Sequence, residues 1–474
     1  MRQGTEGEGA MSSIKSGEKA EKPLKWWQLS LLGVACTIGT GYFLGTGLAI
    51  EMGGPAVLIS FMLAAFGTYV VFDVLARMTA EEPIKGSFRS YAKKAYGGWA
   101  GFSSGWVYWS SELLIMGSQL TALSLFTRFW FANVPMWIFA TGYAILGLLV
   151  LLAGTKGFDR LENLFAVLKI AAILMFLAIA ALALFGVLEG RTHQPRLPVE
   201  AFFPTGVLGL WSSLIYAFYA FGGIEIIGLM AIRLRRPEEA PMAGKVMLGL
   251  LTTVYVLSIG LALTLLPWKA FHSNKSPFIS ALENYHVPYM TQIFNGVLII
   301  AGFSTMVASL FAITTMLVTL AEDQDAPPFF ARRMMGNRPI PALGLTAAGM
   351  VMSIMLALFM PGSIYEYFTT AAGLLLMYNW LFILVTSGRL LDLTGWGQFK
   401  RYLGMALLLL AVIGTLAHRT SRPGFYVSFI FVVLIGVLTF IMQFIRRKGN
   451  PKDPSPANEQ GFKSFPAKIK SKAD

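Results

Sequence analysis

A single cysteine in 474 residues, Cys36, leaves no pair from which an internal disulfide framework could be built. The four histidines, His193, His272, His286 and His418, are scattered along polar stretches, and no Cys/His/Asp/Glu set has metal-ligand spacing. Clustered groups of that kind do most enzymatic chemistry, so their scarcity argues against an enzyme with a cofactor or metal. Charge is thin as well. Asp, Glu, Lys and Arg make up 13% of the chain against 55% hydrophobic residues, about half the charged fraction of an ordinary soluble domain. The N-terminal stretch 1–25 has no signal-peptide pattern and reads as a disordered polar arm.

What the chain has instead is apolar length. Windows of about 20 residues, enough to cross ~30 Å of hydrocarbon, predict an all-α polytopic membrane protein with twelve transmembrane helices. They fall near 28–50, 55–77, 100–128, 134–153, 161–186, 205–232, 243–266, 289–320, 341–360, 363–387, 402–418 and 425–445. With the N-terminus inside, 30 of the 38 Lys and Arg residues fall on inner segments and 7 on outer ones, leaving Lys169 within a helix. That asymmetry places both termini in the cytoplasm and the protein in the cytoplasmic membrane. It also explains the net charge of +13 as a topology signal, so the expected surroundings are a lipid bilayer and no nucleic acid. Trp26, Trp27, Trp99, Trp130, Trp137, Trp268 and Trp396 fall near predicted segment ends, as an interfacial aromatic belt does.

Two spans carry interruptions. Thr37-Ile38-Gly39-Thr40-Gly41 sits in the middle of the first, and Phe221-Gly222-Gly223 late in the sixth. Glycine weakens a helix interior by ~1 kcal/mol against alanine. Backbone freed inside a bilayer is tolerated only where it lines a cavity or is buried in protein. Close helix packing by small residues is the other reading of such a stretch; a second interrupted helix favours the cavity. Amphipathic connectors recur in opposite orientation, Gly86 to Ala92 after the second span and Ser276 to Ala281 after the seventh. The pattern predicts an inverted five-plus-five repeat with discontinuous helices 1 and 6. One repeat covers about 26–188 and the other about 203–390; 391–446 forms two appended helices and 447–474 a disordered basic tail. An interrupted helix offers N–H groups to an anion and C=O groups to a cation, which suits a zwitterion.

Lys169, about nine residues into the fifth span, is a functional candidate because an intramembrane charge is costly unless it is paired or reaches water. A snorkelling lysine would lie nearer the membrane edge.

The stretches Ile38 to Gly45, Pro83 with Gly86-Ser87-Phe88 and Tyr91-Ala92, Gly105-Trp106-Val107-Tyr108-Trp109, Phe221 to Glu225, and Leu320 to Pro327 together resemble amino acid permeases of the amino acid–polyamine–organocation superfamily. The resemblance runs from about Lys25 to Arg389. It implies the leucine-transporter type of fold, with the substrate carboxylate on backbone amides of Gly39, Thr40 and Gly41. The substrate ammonium would lie on carbonyls near Thr37, Ile38, Phe221 and Gly222. Tyr219 and Phe221 fall where members carry an aromatic gate, and Tyr108 lies beside the same cavity by analogy. Proton-coupled members carry a lysine resembling Lys169 where sodium-coupled ones hold their ion, so a proton is expected as the coupling ion in preference to sodium. Glu225 matches an acidic residue that either receives protons or caps the break. Ser304, Thr305 and Ser309 offer hydroxyls on the eighth span, Glu112 faces an unassigned side, and a pocket wall of Gly222, Gly223 and Ser309 hints at a small or apolar neutral substrate. Arg233, Gln119 and the helix 8 stretch Val307 to Thr315 depart from common members.

The expected activity is amino acid import by proton symport. The rivals are an ion-independent exchanger, which would show counterflow without net uptake, and a nutrient sensor, which would usually append a soluble signalling domain.

Overall fold

The apolar runs wind into helices because a segment crossing hydrocarbon must satisfy its own backbone hydrogen bonds. The computed structural model describes residues 23–84, 86–153, 155–188, 202–231, 234–283, 285, 289–334, 338–359 and 364–449. Arg233, His193, His286, nearly all of the N-terminal arm and the tail from 450 lie outside them. Among the described residues extended pairing is limited to two isolated bridges, Leu24 with Leu234 and Met334 with Arg338.

The chain begins with α1 (Trp26–Thr37), the single turn α2 (Thr40–Phe43) and α3 (Gly45–Gly53). It returns as α4 (Val57–Glu81), followed by the amphipathic α5 (Phe88–Tyr96), α6 (Gly98–Arg128), α7 (Met136–Ala153) and α8 (Thr155–Leu184). The second half has α9 (Gly206–Ala220), α10 (Ile224–Met230), α11 (Ala240–Leu265), the short α12 (Pro277–Leu282) and α13 (Met290–Glu322). The last elements are α14 (Ile340–Phe359), α15 (Ile364–Leu390), α16 (Gly395–Gly414) and α17 (Arg422–Gly449).

Nine stretches among the described residues are long and apolar enough to cross a membrane, with Thr40–Glu81 counted as one. The 31-residue α6 is long enough but more polar, and the 15-residue α9 is short because the expected span 205–232 divides at Phe221. Helices α6, α13 and α15 form the packed centre. Around them α3 lies on α9, α4 and α1 on α11, and α8 against α13 and α11; α16 and α17 pack outside, on α4 and α9 and on α15 and α6. Leu, Ile, Val and Phe side chains of α7, α14, α16 and α17 point outward, a surface suited to lipid. Trp27, Trp99, Trp130, Trp137 and Trp396 are exposed near helix ends.

Two interruptions position the site. After Thr37 the backbone runs extended through Ile38 (φ −72°, ψ 106°) and Gly39 (φ −147°, ψ −157°) before α2 begins. After Ala220 the chain turns through Phe221 and Gly222, and Gly223 takes the left-handed region at φ +106°. A Cβ built on Gly223 would stand 3.6 Å from Thr37 Cα, so the two breaks face each other.

Candidate functional site

At the first break the extended residues uncouple the carbonyls of the last turn of α1 from the amides that would follow in a continuous helix. Ile38 N–H still bonds to the Val34 carbonyl, 3.1 Å away. The Ala35 carbonyl, which Gly39 would otherwise engage, accepts from Lys169 Nζ at 2.9 Å. Lys169 comes from α8 and is fully buried, so a long cationic side chain replaces a lost helical donor. On the far side of the break Thr40 and Gly41 open α2, and the first N–H groups of any helix have no intrahelical acceptor. At the second break one Glu225 carboxylate oxygen accepts from Gly223 N–H at 3.1 Å and the other from Trp380 Nε1 of α15. Glu225 is itself fully buried.

A cavity lies between the breaks. Cys36, Thr37, Gly39 and Gly41 line it from the first, and Tyr219, Gly222 and Gly223 from the second. α6 contributes Glu112, Ile115 and Gln119, and α13 contributes Thr305, Ala308 and Ser309. Gly39 is needed there because a Cβ would come within 2.5 Å of Thr305 Cγ2.

Of the residues singled out from the sequence, Thr37, Gly39, Gly41, Tyr219, Gly222, Gly223 and Ser309 border the cavity. Ile38, Thr40 and Phe221 are buried behind it. Thr40 donates to Gln119 Oε1 at 2.5 Å, and its carbonyl accepts from Tyr365 Oη at 3.2 Å. Phe221 packs on Tyr255, with ring centroids 5.1 Å apart. Tyr219 Oη and Ser118 Oγ are hydrogen-bonded at 2.7 Å, which holds the ring beside Gly41. Tyr108 stands one layer back from the wall, fully buried, with its ring edge-on to Phe88 at 5.0 Å.

Cys36, Glu112, Ile115, Gln119, Thr305 and Ala308 also reach the wall, beyond the residues the sequence selected for it. Glu112, whose side the sequence left unassigned, faces the cavity, with its carboxyl beside the hydroxyls of Ser309 and Tyr108. Helical periodicity could not have assigned its side, because α6 is buried on nearly its whole circumference.

The family model described as "Amino acid permease" matches residues 28–462. This chain is a member of the amino acid permease family. It is 54% identical to an uncharacterised transporter of Bacillus subtilis, YcgH, over 93% of this chain and 99% of that protein. Against the aromatic amino acid transport protein AroP of Corynebacterium glutamicum the identity is 30%, over 79% of this chain and 83% of the relative. The gamma-aminobutyric acid permease of Bacillus subtilis is 28% identical, over 80% and 81%.

Beyond the cavity, two side-chain clusters tie elements of this permease together. Toward α12, Phe278 meets Tyr42 and Phe176 with ring centroids 4.9 Å apart in each case, and Tyr42 stacks on Tyr255 at 4.3 Å. Toward α5, Arg89 pairs with Asp323 and Asp325, just beyond α13. Arg446 of α17 reaches the same cluster, donating to Asp325 Oδ1 and to the Gln324 carbonyl, each at 2.9 Å. Apolar stacking thus ties α12 to α2 and α8, and charge pairing ties α5 and α17 to the segment after α13.

Proposed function

We propose that this permease imports amino acids across the cytoplasmic membrane by proton symport, as a secondary active transporter with both termini inside. In this reading it has twelve spans: an inverted repeat of five helices each, and two appended helices. The substrate zwitterion lies between the breaks, its carboxylate on amides of Gly39, Thr40 and Gly41 and its ammonium on carbonyls near Thr37, Ile38, Phe221 and Gly222. Tyr219 closes over it. Alternating access moves one bundle against the other around that point.

The observation that carries the coupling is the Lys169 Nζ bond to the Ala35 carbonyl. This amine can reach a carbonyl freed by the break only while α8 and α1 keep their present spacing. Gaining or losing its proton therefore biases the arrangement of the two helices, and a two-state equilibrium moves when a ligand, here a proton, favours one state. The relatives' names, for transport of aromatic amino acids and of gamma-aminobutyric acid, support an amino acid as the substrate. Glu225, committed to Gly223 and Trp380, holds the second break in shape.

The test is uptake into proteoliposomes under an imposed pH gradient, with Lys169→Ala beside the unaltered protein. Accumulation that follows the gradient and disappears in Lys169→Ala, with substrate counterflow retained, is the expected result. Uptake indifferent to the gradient, or unchanged by the substitution, overturns the coupling.

A further inference from the structure

Near the two breaks, among the described residues, lie three buried carboxyl or amine side chains: Lys169, Glu225 and Glu112. Lys169 is spent on Ala35, and both oxygens of Glu225 are spent on Gly223 and Trp380. Glu112 differs. It is only 2% exposed, it borders the cavity, and the groups beside it are the hydroxyls of Ser309 and Tyr108. Among the described residues no lysine, arginine or histidine forms an ion pair with it.

A buried carboxylate beside hydroxyls, with the Glu225 carboxylate also acting on it, is costly to keep ionised, and a proton or a cationic partner relieves that cost. A neutral zwitterion would not provide such a partner, because its two charges are matched by the backbone of the breaks. A cationic partner must then come from the substrate's side chain. The surrounding wall fits this. Gln119, Thr305 and Ser309 add polar atoms, and Gly222 and Gly223 present only backbone there.

We infer that Glu112 is a specificity-determining residue that selects amino acids with a cationic side chain, an ammonium or a guanidinium, over neutral ones. This rests on the binding site proposed above. A carboxylate facing such a group makes a charge-assisted hydrogen bond, about twice as strong as a neutral one. Removing the charge abolishes that preference and leaves the backbone contacts to the zwitterion in place.

The experiment uses the full chain, comparing L-lysine and L-arginine with L-leucine and L-phenylalanine, both by thermal shift in detergent and by proteoliposome uptake. The unaltered protein should respond to the cationic pair at concentrations about tenfold or more below those needed for the neutral pair. Glu112→Gln should lose that advantage while keeping or improving its response to L-leucine. Glu112→Asp, which keeps the charge, should retain the preference. Preference for neutral amino acids in the unaltered protein, or equal losses for both classes in Glu112→Gln, overturns the inference and leaves the transport reading standing. Absence of binding and uptake with all four defeats both.

Discussion

Arg89 and Asp325 form an ion pair in which neither side chain touches solvent, although 236 residues separate them. The pair fastens α5 to the chain just beyond α13, and Asp325 is shared with Arg446. Breaking a buried pair from one side costs more than the pair contributes, because the survivor keeps its desolvated charge. Arg89→Met should therefore destabilise the protein, by less than the about 3–5 kcal/mol of a fully orphaned buried charge, because Arg446 still faces Asp325. Thermal unfolding in detergent would register this as a lower Tm. The double variant Arg89→Met with Asp325→Leu should recover part of the loss, since it leaves one buried charge fewer.

The only cysteine offers a direct view of the cavity. Cys36 is partly exposed and borders the cavity. Labelling by a maleimide in detergent should be slow in the unaltered protein. It should be faster in Arg89→Met, where α5 is no longer tied to the segment after α13, and slower again when a transported amino acid is present. Mass spectrometry of the intact protein reads all three rates without any engineered cysteine.

Gly39 and Thr305 should be coupled. Gly39→Ala puts a Cβ where Thr305 Cγ2 and Oγ1 already sit, and overpacking of this kind typically costs about 1–3 kcal/mol. Thr305→Ala removes both obstructing atoms. A double-mutant cycle on Tm and on uptake should give a favourable interaction energy of at least about 0.5 kcal/mol; simple additivity would mean that the break moves freely.

Gly223→Ala should fail for a different reason. No atom lies within 3.4 Å of its added Cβ, but φ +106° is strained for any residue with a side chain, at about 1–3 kcal/mol. Uptake should fall with Gly223→Ala, and no substitution of a neighbour should restore it, in contrast to Gly39→Ala.

His418 lies in the turn between α16 and α17. Burial lowers its pKa, with Glu51 raising it and Arg422 lowering it, and its neutral Nδ1 accepts from Thr420 N–H at 3.4 Å. Because the folded pKa is depressed, the unfolded chain binds the proton first as pH falls. The contribution is complete above the unfolded value of about 6.5 and is lost as pH falls through the folded one. Tm in detergent should decline over that range, and His418→Gln should flatten this part of the profile.

The sequence disclosed the features that depend on local chemistry. Both interruptions sit at glycines that interrupt apolar runs, and α5 and α12 lie where amphipathic connectors stood between spans. Facing relations were harder to read. In α6 nearly every side is buried, so no polar face marked Glu112 as turned to the cavity or Tyr108 as set behind it. The pairing of Arg89 with Asp323 and Asp325 joins segments more than 230 residues apart, a distance at which charge spacing carries no signal. For Glu225 the sequence left two roles open, and its partners, Gly223 and Trp380, come from segments 2 and 155 residues away that no spacing pattern links.

Lys169 reaches the end of α1 on a covalent leash. A cation carried by the chain itself cannot be diluted away, nor competed down by the choice of buffer salt. Sodium, potassium and choline media should therefore be equivalent at that position.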